Sequence, residues 1–266
     1  GTATSQVAIN RRQINRDGTV SLGQNPWGPY DPVMTVVSFK TKSGEPLANL
    51  IHYCCHGTAA GISPEATRDW SGPMVDCLEE QSGAVSVFFN GAEGDTGPRL
   101  PNGRTTGDLD MALDLGARAG YDAVRAWRKI RDYRDAAVGV ISGDLNLPVK
   151  PLPDRATAEE AIRSLGDPEQ LTGMRMREYD RWRRVIQEHD RGGELKQHRT
   201  LKQTIIAVGP LAFVPFPYEM FVEITLRIRQ FSPFQHTLCL SNTNGSYGYF
   251  PTRDQFARGG YEVAIS

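Results

Sequence analysis

Short apolar runs alternate along this chain with amphipathic stretches, and that alternation restricts it to a layered arrangement of sheet and helix. The candidate strands are Val33–Lys40, Leu47–Cys54, Val85–Asn90, Ala136–Val149, Leu201–Val208, Leu211–Pro215 and His236–Leu240, rich in Val, Ile, Phe or Thr. Candidate helices begin near Pro64, Asp108, Ala156, Pro168 and Pro217. In the stretch from Leu109 to Ile130, Leu109, Leu113, Leu115, Val124, Trp127 and Ile130 recur at mixed intervals, several of them three or four residues, so one face of that helix should pack on the sheet. The expected fold class is α/β, a mixed β-sheet core flanked by helices with a charged helical insert.

The 266 residues show no internal repeat or low-complexity linker, so a single domain over 1–266 is expected. Within it, 151–193 stands apart. Its run Met174-Arg-Met-Arg-Glu-Tyr-Asp-Arg-Trp182 carries interleaved charges, and Met174, Tyr179, Trp182 and Val185 form an apolar stripe. A helix hairpin covering a sheet edge, an arm for RNA and a lid over substrate all fit that pattern.

Thirty Lys and Arg against 31 Asp and Glu leave a net charge of −1, so the chain has no global field to hold nucleic acid. No apolar run approaches the roughly 18–20 residues of a spanning helix, so no transmembrane segment is expected. Cys54, Cys55, Cys77 and Cys239 form no CxxC pair; they read as buried free thiols and leave the compartment open.

Four stretches could carry chemistry. The first ends a strand in Cys55-His56-Gly57-Thr58, where small neighbours let a metal or substrate approach the histidine. His56 could equally be a hydrogen-bonded histidine at a strand end. His52 lies about 13 Å away in an extended strand, too far to share a metal with it. The second runs from a buried-strand pattern into Asn90-Gly91-Ala92-Glu93-Gly94-Asp95-Thr96-Gly97. It is either an anion or oxyanion cradle or a tight turn, and it lacks the spacing of a nucleotide-binding loop. The third is Pro215-Phe216-Pro217-Tyr218-Glu219, where Glu219 is either a helix-capping carboxylate or a metal ligand. The fourth, Ser241–Arg253, is a turn-rich loop with Tyr247 and Tyr249.

In this order the stretches resemble the N-terminal catalytic domain of the neutral/alkaline ceramidase family. The resemblance rests on Ile9-Asn10-Arg11-Arg12, Asn25-Pro26-Trp27-Gly28-Pro29-Tyr30-Asp31-Pro32, Cys55-His56-Gly57-Thr58 and Asp69-Trp70-Ser71-Gly72. It continues through Gly91-Ala92-Glu93-Gly94-Asp95, Pro217-Tyr218-Glu219, Ser232-Pro233-Phe234 and Gly248–Arg253. It implies a zinc-dependent hydrolase of an amide bond, on a small-molecule or lipid-like amide that need not be ceramide. It also implies Zn2+ held by His56, Glu219 and a tyrosine. The family pattern puts that tyrosine at Ser246, so Tyr247, one residue later, is the candidate.

The family's further histidine lies upstream of the Arg-Arg motif, where this chain has no counterpart. The resemblance therefore implies either a missing N-terminal portion or a second chain that supplies the ligand. The family's nucleophilic serine falls at Gly97. Asp95, Thr96 and Asp69 are then the catalytic candidates, and Asn90, Gly91, Gly94 and Gly97 the candidates for substrate and oxyanion contacts. A non-catalytic domain that uses the same cleft to bind a glycan, lipid or protein is the competing expectation.

Overall fold

The computed structural model describes residues 1–149, 151–192 and 198–264. From the N-terminus, β1 (Thr2–Thr4), β2 (Ala8–Ile14), β3 (Val20–Asn25), β4 (Val33–Lys40) and β5 (Pro46–Tyr53) lead into α1 (Ser71–Ser82), β6 (Val85–Asn90), β7 (Thr96–Pro98) and α2 (Leu109–Trp127). Next come β8 (Val138–Pro148), α3 (Arg155–Leu165), α4 (Gly173–Arg191), β9 (His198–Val208) and β10 (Leu211–Pro215). The chain ends with β11 (Glu219–Met220), α5 (Val222–Phe231), β12 (His236–Leu240), β13 (Tyr249–Phe250), α6 (Arg253–Phe256) and α7 (Tyr261–Ala264). The architecture is mixed α/β, as expected. Two compact units are present, Gly1–Ile141 with Thr204–Ser266, and Ser142–Gln203.

In the first unit the principal sheet has the order β1-β4-β5-β6. β5 and β6 are parallel, with Ala48 opposite Val85 and Tyr53 opposite Asn90, so both strands release their chains at the same end. Alternation along β5 divides its side chains between two cores. Ile51 and Tyr53 pack with Trp70, Met74, Leu78 and Leu115 of the α1–α2 layer, all fully or almost fully buried. Leu50 turns the other way and meets Leu238 and Leu240 of β12, with Val37, Phe39 and Phe213 around them. Each such large side chain contributes about 1.5–3 kcal/mol on burial. A second sheet has the order β12-β10-β9-β8, with β10 parallel to β12 and antiparallel to β9. A third runs β3-β2-β7, and β11 pairs with β13 alone.

In α2, the small residues Ala112, Gly116, Ala119, Gly120 and Ala123 form the buried stripe and let α1 approach closely. At Gly116 a Cβ would lie 2.5 Å from the Trp70 carbonyl oxygen. Asp108 caps the helix by accepting from the Met111 N–H at 2.8 Å.

The second unit contains α3 and α4, which pack against each other with Ala158, Leu165, Leu171 and Val185 buried. Its surface ion pairs, such as Arg155–Glu159 and Arg163–Glu160, are exposed and add little stability. Gly193 of the expected insert and the side chain of Met174 lie outside the described residues.

Three helix starts differ from the sequence expectation. The helix expected near Pro64 begins at Ser71, because residues 57–70 form a loop closed by Asp69, whose φ is +53°. The helix expected near Pro168 is a single 3-10 turn at that point, and α4 starts at Gly173. The helix expected near Pro217 begins at Val222, because Glu219 and Met220 are captured as a strand by Tyr249 and Phe250. All four cysteines are free, and Cys54, Cys55 and Cys239 are buried. Burial pushes the Cys239 thiol up to about 12 and raises Cys54 and Cys55 well above the ordinary value, so none of these three is a ready thiolate. Among the described residues no helix is long and apolar enough to cross a membrane.

Candidate functional site

His56 sits three residues beyond the end of β5, and its ring is held from both sides. Nδ1 lies 2.5 Å from the Glu93 carbonyl oxygen and 3.3 Å from that of Thr96. Carbonyl oxygens only accept, so Nδ1 carries the proton and donates. That leaves Nε2 as the nitrogen facing Glu219 Oε2 at 2.8 Å, with the Tyr249 hydroxyl at 3.5 Å.

The three residues come from distant parts of the chain, and the β11–β13 ladder brings two of them together. Parallel pairing sets Glu219 opposite Tyr249 and Met220 opposite Phe250, while the Glu219 N–H donates to the Gly248 carbonyl at 2.9 Å. Gly94 makes the close approach to β11 possible. Its N–H donates to the Met220 carbonyl at 2.8 Å, and a Cβ there would lie 2.5 Å from the Glu219 carbonyl oxygen.

Behind the site stands a buried charge network. Arg11 Nη2 donates to the Tyr249 hydroxyl at 2.9 Å, and Arg11 Nε donates to Glu262 Oε1 at 2.9 Å. Arg12 Nη1 holds the other Glu262 oxygen at 2.6 Å, with both partners under 5% exposed. Burial alone would raise the Glu219 carboxyl. Hydrogen bonds from His56 and Tyr249 outweigh it and, with the nearby Arg11 guanidinium, hold Glu219 below the usual carboxylate range. Burial raises Tyr249, and the neighbouring Glu219 adds to that shift against the opposing pull of Arg11. Glu93, buried beside His56 and Glu219, is also raised, chiefly by desolvation.

The donor set can be tested against a metal. Nε2 faces the Glu219 carboxylate at hydrogen-bond distance, bridged by a proton where His56 donates and open to a cation where Nε2 keeps its lone pair. Two acceptors tolerate that separation only when a proton or a cation lies between them. Neutral imidazole and carboxylate are ordinary zinc donors, so His56 and Glu219 fit a zinc ion, with Tyr249 as the third oxygen or nitrogen group at hand. Among the described residues no cluster of three or more His, Cys, Asp and Glu side chains forms a metal cage.

The other residues singled out in the sequence occupy varied positions. Tyr247 does not reach His56: it is 52% exposed and packs edge-on against Tyr218. Gly248, with φ +95°, turns the backbone just before the strand, and the ladder register sets Tyr249 opposite Glu219. Asp69 accepts from the N–H groups of Ala59, Ala60 and Trp70 at 2.7–3.1 Å, so it closes the loop after His56 and does not touch the ring. Asp95 is buried, accepting from the Val222 N–H at 2.8 Å and Asn10 Nδ2 at 3.3 Å, and desolvation pushes its carboxyl up to about 7. It caps α5 from a distance and makes no contact with His56.

Thr96 Oγ1 is fully buried without a hydrogen-bond partner, so no base stands beside it. Asn90 fastens β6 to β5 through the backbone of Cys55, and its side-chain amide also meets Glu93. The expected oxyanion donors are largely committed. The Gly91 N–H bonds to the Tyr53 carbonyl, the Gly94 N–H to Met220, and Gly97 pairs with Ile9 in the β2–β7 ladder. Arg11, Tyr249, Glu93 and Glu262 carry the site's electrostatics, yet sequence reasoning assigned them no role. Arg11 and Tyr249 lie inside segments it did single out, and only the strand register was missing.

No protein-family model matches the chain, and no curated protein sequence matches it. Its fold is similar to that of solved ceramidases. The neutral ceramidase from Pseudomonas aeruginosa superposes with a TM-score of 0.64 at 19% identity, covering 100% of this chain and 48% of that one. A ceramidase complexed with C2 gives a TM-score of 0.65 at 17% identity, covering 100% of this chain and 49% of that one. The chain thus has a ceramidase-like fold and spans about half the length of these neighbours.

Proposed function

With a ceramidase-like fold as its premise, we propose that the chain is the catalytic portion of a zinc-dependent hydrolase that cleaves an amide bond, on a substrate that need not be ceramide. The observation that carries the reading is the His56–Glu219 pair: an imidazole whose Nδ1 is fixed by backbone carbonyls, with Nε2 aimed at a carboxylate 2.8 Å away. In this reading His56 and Glu219 hold Zn2+, and Tyr249, rather than Tyr247, is the tyrosine beside it. A bound zinc ion supplies a Lewis acid for the scissile carbonyl and lowers the pKa of a water at its open position.

The chain's own residues do the rest. The Glu93 and Thr96 carbonyls fix the His56 tautomer and ring direction. Arg11 holds the Tyr249 hydroxyl toward the pair, where the phenol can donate to charge developing on the substrate oxygen. The Glu93 carboxyl accepts from the Asn90 and Asn242 side-chain amides, so it orders the loop whose backbone carbonyl holds His56. Asp95 and Asp69 act on the scaffold, Asp95 by capping α5 and Asp69 by closing the loop after His56. With two zinc-type donors and one tyrosine supplied here, a further nitrogen ligand comes in this reading from a polypeptide segment outside the chain.

Metal content by mass spectrometry, read with turnover of N-acyl substrates, tests the proposal. About one zinc per chain, lost together with hydrolysis in His56→Ala and Glu219→Ala, is the expected result. Full turnover in either variant would refute it. A folded protein that takes up no zinc and cleaves no amide would favour a binding domain instead, a reading to which the buried Thr96 hydroxyl and Gly97 at the serine position already lean.

A further inference from the structure

A cavity of 240 Å³ opens among β2, the Asn25–Pro29 turn, α5 and α6, with Asn10, Arg12 and Asp95 among its lining residues. Its size is below the range of drug-sized pockets and suits a single ring. Trp27 belongs to its lining and is 94% exposed, so a large apolar ring faces solvent beside a polar hollow. An isolated exposed apolar side chain needs no explanation, but an indole beside a polar cavity is informative.

The backbone of the turn that carries Trp27 is braced by hydrogen bonds. The Trp27 N–H donates to Asn25 Oδ1 at 3.1 Å, the Gly28 N–H donates to the Asn25 carbonyl at 3.3 Å, and Asn10 Nδ2 holds the Pro29 carbonyl at 2.9 Å. Gly28 lies so close to Asn10 that a Cβ would come within 2.5 Å of its Cγ. The opposite wall is braced as well, with Arg12 Nε donating to Gln255 Oε1 at 3.0 Å and Arg12 Nη2 to the Gly259 carbonyl at 2.7 Å. Glu223, Asp254 and Arg258 complete the lining.

We infer that this cavity is a binding site for one pyranose ring, with Trp27 as the stacking platform and Glu223, Asp254 and Arg258 as the hydroxyl-reading groups. A pyranose has an apolar C–H face and a rim of hydroxyls, each of them both donor and acceptor. An indole beside interspersed carboxylates and a guanidinium matches both features. A cationic headgroup is the comparison ligand, because Glu223 and Asp254 would attract it while Arg258 repels it. The site is independent of the metal reading, since it uses neither His56 nor Glu219.

The test is a titration of the full chain with methyl β-D-glucopyranoside, methyl β-D-galactopyranoside and N-acetyl-D-glucosamine, each into the tens-of-millimolar range, with choline chloride as the cationic comparison. Saturation-transfer NMR and tryptophan fluorescence read the binding. Saturable binding of at least one sugar is expected, weakened at least about tenfold in Trp27→Ala. Partial retention is expected in Trp27→Phe, and a loss in the Glu223→Gln, Asp254→Asn double variant. Because Trp27 is almost fully exposed, its replacement leaves the fold intact, which circular dichroism checks. Absence of saturation by all three sugars, undiminished binding in Trp27→Ala, or saturation by choline alone would each overturn the inference.

Discussion

Glu262→Ala is the sharpest test of how this molecule holds its site. The Glu262 carboxylate is 1% exposed and takes charge-assisted hydrogen bonds from Arg11 Nε at 2.9 Å and Arg12 Nη1 at 2.6 Å. Replacing the whole pair by apolar groups could be neutral, but removing the carboxylate alone leaves two buried guanidiniums without their counter-charge. Breaking a buried ion pair from one side costs about 3–5 kcal/mol. Arg11 keeps its bond to Tyr249, and Arg12 keeps Gln255 and the Gly259 carbonyl, so the lower half of that range is expected. The exposed Arg68–Asp76 pair, at 2.6 Å, supplies the contrast: Asp76→Ala should change stability far less than Glu262→Ala despite the equally short contact. Equilibrium urea unfolding followed by far-ultraviolet circular dichroism measures both. If Glu262→Ala lost under 1 kcal/mol, or no more than Asp76→Ala, the claim that burial and not distance sets the strength of this network would be wrong.

Other expectations follow from the same geometry. Tyr249→Phe removes the acceptor from a buried Arg11 N–H and should destabilise by about 1–3 kcal/mol in denaturant unfolding; no measurable loss would show that the Arg11–Tyr249 contact does not hold the site. Asp95 is pushed up to about 7, so its folded value lies above its unfolded one, and the protonated acid favours the native state below about pH 4. That contribution is lost as pH rises from about 4 to about 7, with an upper bound of roughly 4 kcal/mol, and a stability–pH profile of Asp95→Asn should lack the corresponding fall. Gly94→Ala places a methyl 2.5 Å from the Glu219 carbonyl and should cost about 1–3 kcal/mol while weakening zinc uptake; unchanged stability and metal content would mean that β11 yields freely.

Much of the fold was legible in the sequence because burial writes itself into the spacing of apolar residues. The strands Val33–Lys40, Val85–Asn90, Leu211–Pro215 and His236–Leu240 have the ends their patterns indicated, and Asp108 caps the helix it precedes. The short strands β1, β7, β11 and β13 carry no such pattern. At two to three residues they are too brief to show a period, and they exist only because another part of the chain offers a ladder. For that reason Pro217 looked like the start of a helix, when the next residues form a strand.

The site divides along the same line. The residue types of His56 and Glu219, each beside an apolar run, already suggested ligands, since imidazole and carboxylate next to small residues are what a metal or a proton transfer needs. That Nε2 meets Glu219 across 163 residues, and that Tyr249 stands beside them in place of Tyr247, was decided by the parallel register of β11 on β13. Whether a glycine N–H is free for an oxyanion depends on partners elsewhere in the chain, and here Gly91 and Gly94 had already donated theirs. Local sequence determined which groups were present and where strands and helices could form. Tertiary structure alone decided which lone pairs and protons remained to face one another, because hydrogen bonds between distant segments depend on register and closure.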